Sequence, residues 1–423
     1  MPRTAYIHSN DYAELASRLP SNIERSKKVH ALIEAYGLLR LRDLTIVSPR
    51  KATVKELCRF HSRDYIEFLN KAEEYDSGED SDEDNVSNDD SENSHDTRTS
   101  THNKEDKLEV YGLRFDCSVF EGLADYAAYV AGSTLQAATL LCDDAFDIVI
   151  HWDGGRHHAR KDAAAGFCIV NDIVLGIMEL QRTFDRVLYL DLDVHHGDGV
   201  ENAFQFTEKV LTVSMHHYAE GFYPGTGSGS SSSTRIKSVV NIPMKAGLSD
   251  GTLCKVFDEM IAPLVEQFNP DAVVLQCGVD GECRYRFSCG SVWYVSIEKS
   301  TNLYDSSSFT GMAGDPLGKW NLTMTGYSDC LKKVVAWKKP LLVLGGGGYN
   351  TVSTARCYAY LTSRILDRTI SDEIPEHAYF EDYQPDFLLF VDPGCQADSN
   401  TEEHLDHVRS LVKTQSKSLI SQR

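Results

Sequence analysis

Five times between residues 146 and 344 the sequence returns to a short run of Val, Ile and Leu with little polar alternation: 146–152, 186–192, 209–215, 272–276 and 341–344. A strand with one wet face alternates polar and apolar residues, whereas a strand buried on both faces does not. Segments with helical spacing of apolar residues lie around and between these runs, at 123–141, 163–180, 252–268 and 328–337. Doubly buried strands alternating with helices predict an α/β domain, a parallel sheet sandwiched between helical layers. Ligands of such sheets bind beyond the carboxyl ends of the strands. The search for chemistry therefore starts at the residues just after each apolar run.

Composition narrows the class. The chain has 423 residues, 42% of them hydrophobic, enough for a large core. Its 11 cysteines include no C-x-x-C pair, which argues against a zinc ribbon or a secreted disulfide scaffold. No apolar run is long enough for a membrane span, and the first residues lack the apolar core of a secretory signal. The expectation is a soluble intracellular protein with reduced thiols. Formal net charge is −21, but residues 73–96 alone carry twelve acidic side chains and no Lys or Arg, leaving −9 elsewhere. A broad basic face for direct binding of nucleic acid is disfavoured. The acidic stretch 73–107 has almost no apolar residue after Tyr75 and reads as a disordered, solvated surface insertion. Residues 281–312 are Ser-, Tyr- and Cys-rich without a clear period and form an atypical insertion, either a retained intron or a lineage-specific loop.

The strongest chemical signal is RVLYLDLDVHHGDG at 186–199, an apolar strand running into Asp191, Asp193 and His195. On a continued strand these three side chains share one face. Buried carboxylates and an imidazole are costly there unless something binds them, and they suit zinc or a similar divalent ion. His196 and Asp198 extend the cluster. A second signal is IHWDGGRHHARK, where His157 and His158 follow a glycine turn after a strand and suit acid–base work near neutral pH. A third is LLVLGGGGYN, whose four glycines allow close backbone approach to a ligand or let Tyr349 swing into a site. Asp280, after the run at 272–276, is positioned to complete a three-ligand metal site. No G-x-S-x-G elbow and no H-E-x-x-H is present. What remains is metal-activated water attacking a carbonyl, with His as acid–base and Tyr as electrophile.

Together DLDVHHGDG, GGRHHARKDAAAGFC, FYPGTG and LGGGGYNT resemble the class I zinc-dependent histone deacetylases. The resemblance runs from about Tyr6 to Pro393, apart from the acidic stretch and 281–312. It implies a single domain with an eight-stranded parallel sheet, residues 1–398, followed by a C-terminal helix or tail, 399–423. It implies hydrolysis of acetyl-lysine in histones and other proteins, with chromatin and transcriptional repression as the setting and nucleus and cytoplasm as the location. The metal ligands would be Asp193, His195 and Asp280, holding zinc or, in cells, iron(II). His158 would be general base and then acid, and His157 would stay cationic. Asp191 and Asp198 would sit behind the two histidines, and Tyr349 would stabilise the oxyanion. Asp116, Gly166, Phe167, Tyr223 and Leu317 would contact substrate. Structural potassium would sit at Asp191, Asp193, His195, Ser214 and Met215, and a second ion at Phe204, Thr207 and Val210. Arg25 and Arg156 would line an internal acetate channel.

The departures are specific. The family has Asn-Trp-(Ala/Ser)-Gly-Gly-(Leu/Trp)-His-His where this chain carries His151, Asp153 and Arg156. Asp153 is expected to pair with Arg25 or Arg156 and offset their repulsion. Tyr223 replaces a Phe. An amidohydrolase for acetylpolyamines or other small amines, and an inactive scaffold, are the alternative readings.

Overall fold

The computed structural model describes residues 2–78, 106–230, 238–281 and 319–417. Eight strands form one sheet, with every pairing parallel. They are β1 (Thr4–Ile7), β2 (Leu44–Val47), β3 (Ile148–His151), β4 (Val187–Asp191), β5 (Val210–His217), β6 (Val239–Met244), β7 (Ala272–Gln276) and β8 (Leu341–Leu344). Their order across the sheet is β2-β1-β3-β8-β7-β4-β5-β6. The central strands β3, β8, β7 and β4 are adjacent, so the loops that leave their carboxyl ends converge. Those loops carry the histidine pair, the glycine run, Asp280 and the Asp-rich segment.

Burial on both faces follows the pleat. Ile148, Ile150, Leu188 and Leu190 point into one core with α1 (Arg25–Ala35), the helices at 250–268, and the later helices of the chain. Val149, Val187, Tyr189, Val274 and Leu342 point into the opposite core. There they meet α2 (Leu123–Cys142), α3 (Asp172–Leu180) and α4 (Asp198–Phe204). Truncating one of these strand leucines to Ala removes contacts on a face with no room to relax, at about 2–5 kcal/mol. Helices α5 (Met324–Ala336) and α6 (Thr351–Ile365) pack with α1 in the first core.

Local chemistry sets the element ends. The segment expected to be helical from 163 begins its helix only at Asp172, where the Asn171 side chain accepts from Val174 N and caps the first turn. Residues before it cannot be helical, because Gly166 and Phe167 adopt positive φ and a bridge joins Ala165 to Cys168. The acidic stretch starts later than composition suggests, since Ala72–Ser77 is a helix. Glu73 is held there by accepting from the amides of Gly122 and Leu123 at the start of α2, and Tyr75 packs on Phe68. Residues 79–105 and 282–318, which include most of both unusual segments and Leu317, lie outside the described residues. Their flanks are tied down: Leu322 N donates to Gly281 O at 3.3 Å. The C-terminal helix α7 (Glu402–Gln415) packs Leu405, Val408 and Val412 into the first core.

Candidate active site

β4 ends at Asp191, so Asp193 and His195 do not continue its pleat. The shared strand face expected for Asp191, Asp193 and His195 is therefore corrected. The chain turns because the Asp191 carboxylate accepts from Asp193 N at 3.1 Å, and Asp193 in turn accepts from His195 N at 3.0 Å. This turn separates the roles. Asp191 faces Tyr189 and His157, at 2.6 and 2.8 Å. Asp193 and His195 face Asp280 from the neighbouring β7 loop.

His195 Nδ1 lies 2.9 Å from Asp280 Oδ2 and 3.2 Å from Asp193 Oδ1. All three side chains are buried, and one ligand atom from each lies within 4.8 Å of the others. Asp280 is anchored by accepting from Val194 N at 3.0 Å. Asp193 is held harder, accepting from Gln276 Nε2 and from Gly347 N, both at 2.9 Å. Burial opposes charge on all three. The surrounding donors and His157 nevertheless keep Asp193 well below the usual carboxylate range. Burial and the Asp193 carboxylate push Asp280 up to about 6. For His195 burial is outweighed by Asp280 and Asp193, and its pKa rises to about 10. Two buried carboxylates thus draw a positive charge into the space between them. An oxygen–nitrogen–oxygen set of this kind fits a divalent metal ion with open coordination positions.

Glycines make the convergence possible. A Cβ at Gly278 would strike the Asp193 carboxylate, and one at Gly347 would strike that of Asp280. The four-glycine run is thus the close backbone approach, and it delivers Tyr349 opposite Phe167, ring centroids 5.3 Å apart. Arg25, buried at the start of α1, braces this run by donating to the carbonyls of Gly346 and Gly348 at 2.8 and 3.2 Å.

The adjacent histidines are oppositely poised. His157 Nδ1 meets Asp191 and His158 Nδ1 meets Asp198, each at 2.8 Å. Burial disfavours the cation at His157, but Asp191 and Asp193 prevail and lift it to about 9. At His158 burial, and then the charge on His157, lower the pKa to about 3. One ring is a fixed cation and its neighbour is a neutral base. The rim is built around them. Tyr223, 43% exposed, stands edge-on to His158 with centroids 5.0 Å apart. The Asp116 carboxylate accepts from Gly166 N at 2.9 Å, linking the rim to the Gly166–Phe167 turn.

Other expected residues fall as follows. Ser214 is the register partner of Asp191 across β4 and β5, with Met215 next to it. Phe204, Thr207 and Val210 lie on the α4–β5 turn, where Thr207 N donates to Phe204 O. The pairing expected of Asp153 is corrected: its carboxylate meets His30 Nε2 at 2.9 Å, and Arg156 reaches only its main-chain oxygen, at 3.1 Å. Gln276, Tyr189, Phe222 and His61 were not anticipated. Phe222 stacks on His195 at 5.1 Å, and was adjacent to a residue already singled out in FYPGTG. His61 bears on Asn171 N and Lys161 O, 110 and 100 positions further along the chain, and no motif marks it.

The fold and the site define a metal-dependent amide hydrolase of the α/β class. The family model "Histone deacetylase domain" matches residues 19–292 and 306–365. The chain is 41% identical over 419 residues to histone deacetylase 8 of Xenopus tropicalis, covering 98% of each. It is 39% identical over 417 residues to histone deacetylase 8 of Danio rerio, covering 98% of this chain and 95% of that protein. A third such protein, from Xenopus laevis, is 40% identical over 371 residues, 87% of this chain and 97% of the relative. The chain belongs to the histone deacetylase family, and it is a lysine deacetylase.

Proposed function

We propose that the chain hydrolyses acetyl-lysine in histones and other proteins with zinc as its metal, iron(II) being the alternative occupant in cells. Asp193, His195 and Asp280 would hold the ion. When bound, it would polarise the acetyl carbonyl and make water a better nucleophile. His158 takes the proton of the attacking water at Nε2, because Asp198 engages Nδ1 and burial keeps the ring neutral. The same ring then returns the proton to the lysine amine. His157 stays charged against Asp191 and stabilises developing negative charge. The Tyr349 hydroxyl donates to the oxyanion. Phe167 and Tyr223 flank the lysine methylenes, and Asp116 holds the substrate backbone. Asp191, Asp193, His195, Ser214 and Met215 would hold one structural potassium ion, and Phe204, Thr207 and Val210 a second.

The observation that carries this reading is the pair of adjacent histidines with opposed protonation beside the converging Asp–His–Asp set. Nuclear and cytoplasmic residence and a role in transcriptional repression go with it. The test is hydrolysis of an acetyl-lysine peptide by the zinc-loaded chain beside a Tyr349→Phe control, which should lose roughly 10²–10³ in rate. Turnover of acetylpolyamines with none of the peptide would instead support a small-amine amidohydrolase. Turnover of neither would support a scaffold.

A further inference from the structure

His196 stands beside the metal ligands in the sequence, and FYPGTG ends in a turn, yet neither His196 nor that turn has a part in the chemistry above. The fold joins the two. His196 is 1% exposed, and both its ring nitrogens are engaged away from the metal ligands. Nε2 donates to the Glu201 carboxylate of α4 at 2.8 Å, since a carboxylate can only accept. Nδ1 meets the Thr226 hydroxyl at 2.8 Å. Glu201 is fixed in turn, its same oxygen accepting from Asn241 Nδ2 on β6 at 2.7 Å. A second buried imidazole grips the next residue of the loop. His216 of β5 donates from Nε2 to Gly227 O at 2.9 Å, while its Nδ1 meets Ser214 Oγ at 3.0 Å. The two rings have centroids 4.6 Å apart. Gly227 adopts φ 83°, and a Cβ there would strike both of them, so only glycine lets the chain settle on the pair.

This grip closes a loop whose middle carries two rings over the reacting centre. Residues 218–221 are exposed. Phe222 stacks on His195 with centroids 5.1 Å apart, and meets His217 edge-on at 4.5 Å. Tyr223 stands edge-on to His158. The loop enters at Tyr218, whose N donates to Met244 O at 3.0 Å, and leaves at Thr226 and Gly227. A ring contact resists separation but tolerates sliding, whereas hydrogen bonds fix distance and direction. The register of Phe222 and Tyr223 over the site is therefore set at the loop's far end.

We propose that His196, oriented by Glu201, is a positioning residue for substrate: through Thr226 it fixes the loop that keeps Phe222 and Tyr223 against the lysine methylenes. The inference rests on the deacetylase reading, in which Tyr223 flanks that side chain. The methylenes do not change between ground state and transition state, so a wall that touches them stabilises both equally. Loosening the wall raises KM and leaves kcat alone. A disturbance passed along the main chain from His196 to His195 would do the reverse, reaching the metal and lowering kcat.

The test is Thr226→Val in the zinc-loaded full chain, with Thr226→Ser beside it. Thr226 is exposed, so the change of a hydroxyl for a methyl spares the core. Hydrolysis of an acetyl-lysine peptide should show KM raised about three- to tenfold, the worth of one hydrogen bond, with kcat within about twofold. Thr226→Ser keeps the hydroxyl and should restore the wild-type KM. Amide hydrogen exchange across 218–225 should quicken in the Val variant and not in the Ser variant, a readout that needs no turnover. An unchanged KM, a fall in kcat alone, or a Ser variant as impaired as the Val variant overturns the proposal. If the wild-type chain shows no turnover, the deacetylase reading falls and the substrate role with it, whereas the exchange result still shows whether Thr226 anchors the loop.

Discussion

The turn after β3 has two sides, and they are built on opposite rules. Toward the metal ligands, His157 and His158 each hold a carboxylate at 2.8 Å, and both of those carboxylates are themselves buried. Away from it, Arg156 and Tyr126 leave polar atoms with no partner among the described residues. A buried charge whose partners are all supplied by the chain is fixed in position and in protonation state. A buried charge left short of partners is held less firmly by the fold. The first arrangement suits catalysis, where geometry must not drift.

The sharpest way to break the contrast is to empty the committed side. His158→Ala removes the base and should lower kcat/KM by roughly 10²–10⁴, measured on an acetyl-lysine peptide. A loss under tenfold would mean that His158 is not the proton carrier. Next, Gln276→Leu removes a donor that holds the Asp193 carboxylate without adding bulk. Zinc affinity should fall about 10–100-fold by competition against a chromophoric chelator, because ligand orientation depends on such partners. Unchanged affinity would show that Gly347 N alone suffices.

A third experiment uses pH. His61 is buried and neutral: Asn171 N donates to its Nε2, so Nδ1 carries the proton and donates to Lys161 O. Burial lowers its pKa to about 4. The unfolded chain, near 6.5, binds this proton first, so stability is full above 6.5 and declines as pH falls toward 4. The slope from this one group is at most about 1.4 kcal/mol per pH unit. His61→Gln should flatten the change in urea midpoint between pH 7 and 5. The smallest expected effect is Tyr223→Phe. The ring already packs against His158, so loss of the hydroxyl should alter kcat/KM less than about fivefold.

Much of this was legible in the residues. The apolar run at 272–276 is a strand with the same bounds, because it is buried on both faces and punctuated at each end. Asp193, His195 and Asp280 could be nominated because burying such groups needs a reason. Their separation from Asp191 could not be read, since it depends on an amide of the turn capping the Asp191 carboxylate rather than on strand alternation. The partner of Asp153 was misjudged for a related reason. Charge counting favours an arginine close in sequence, but the fold places His30 of α1 against it instead. Gln276 reaches the Asp193 carboxylate and His61 the Asn171 amide, both far away in the chain, and no local pattern encodes that.

One contact at the sheet's margin has a wider consequence. Strand β6 is an outermost strand, with β5 on one side only. On its open side Asn241 N donates to Gln415 Oε1 at 2.7 Å, and Gln415 Nε2 donates to Asn241 O at 3.1 Å. A single side-chain amide thereby imitates the next strand, donor for acceptor, and ends the ladder. An open edge is a template for another chain. Helix α7 therefore covers this edge, and shortening the chain before Gln415 should leave it open to pairing with another chain without touching a single group that does chemistry.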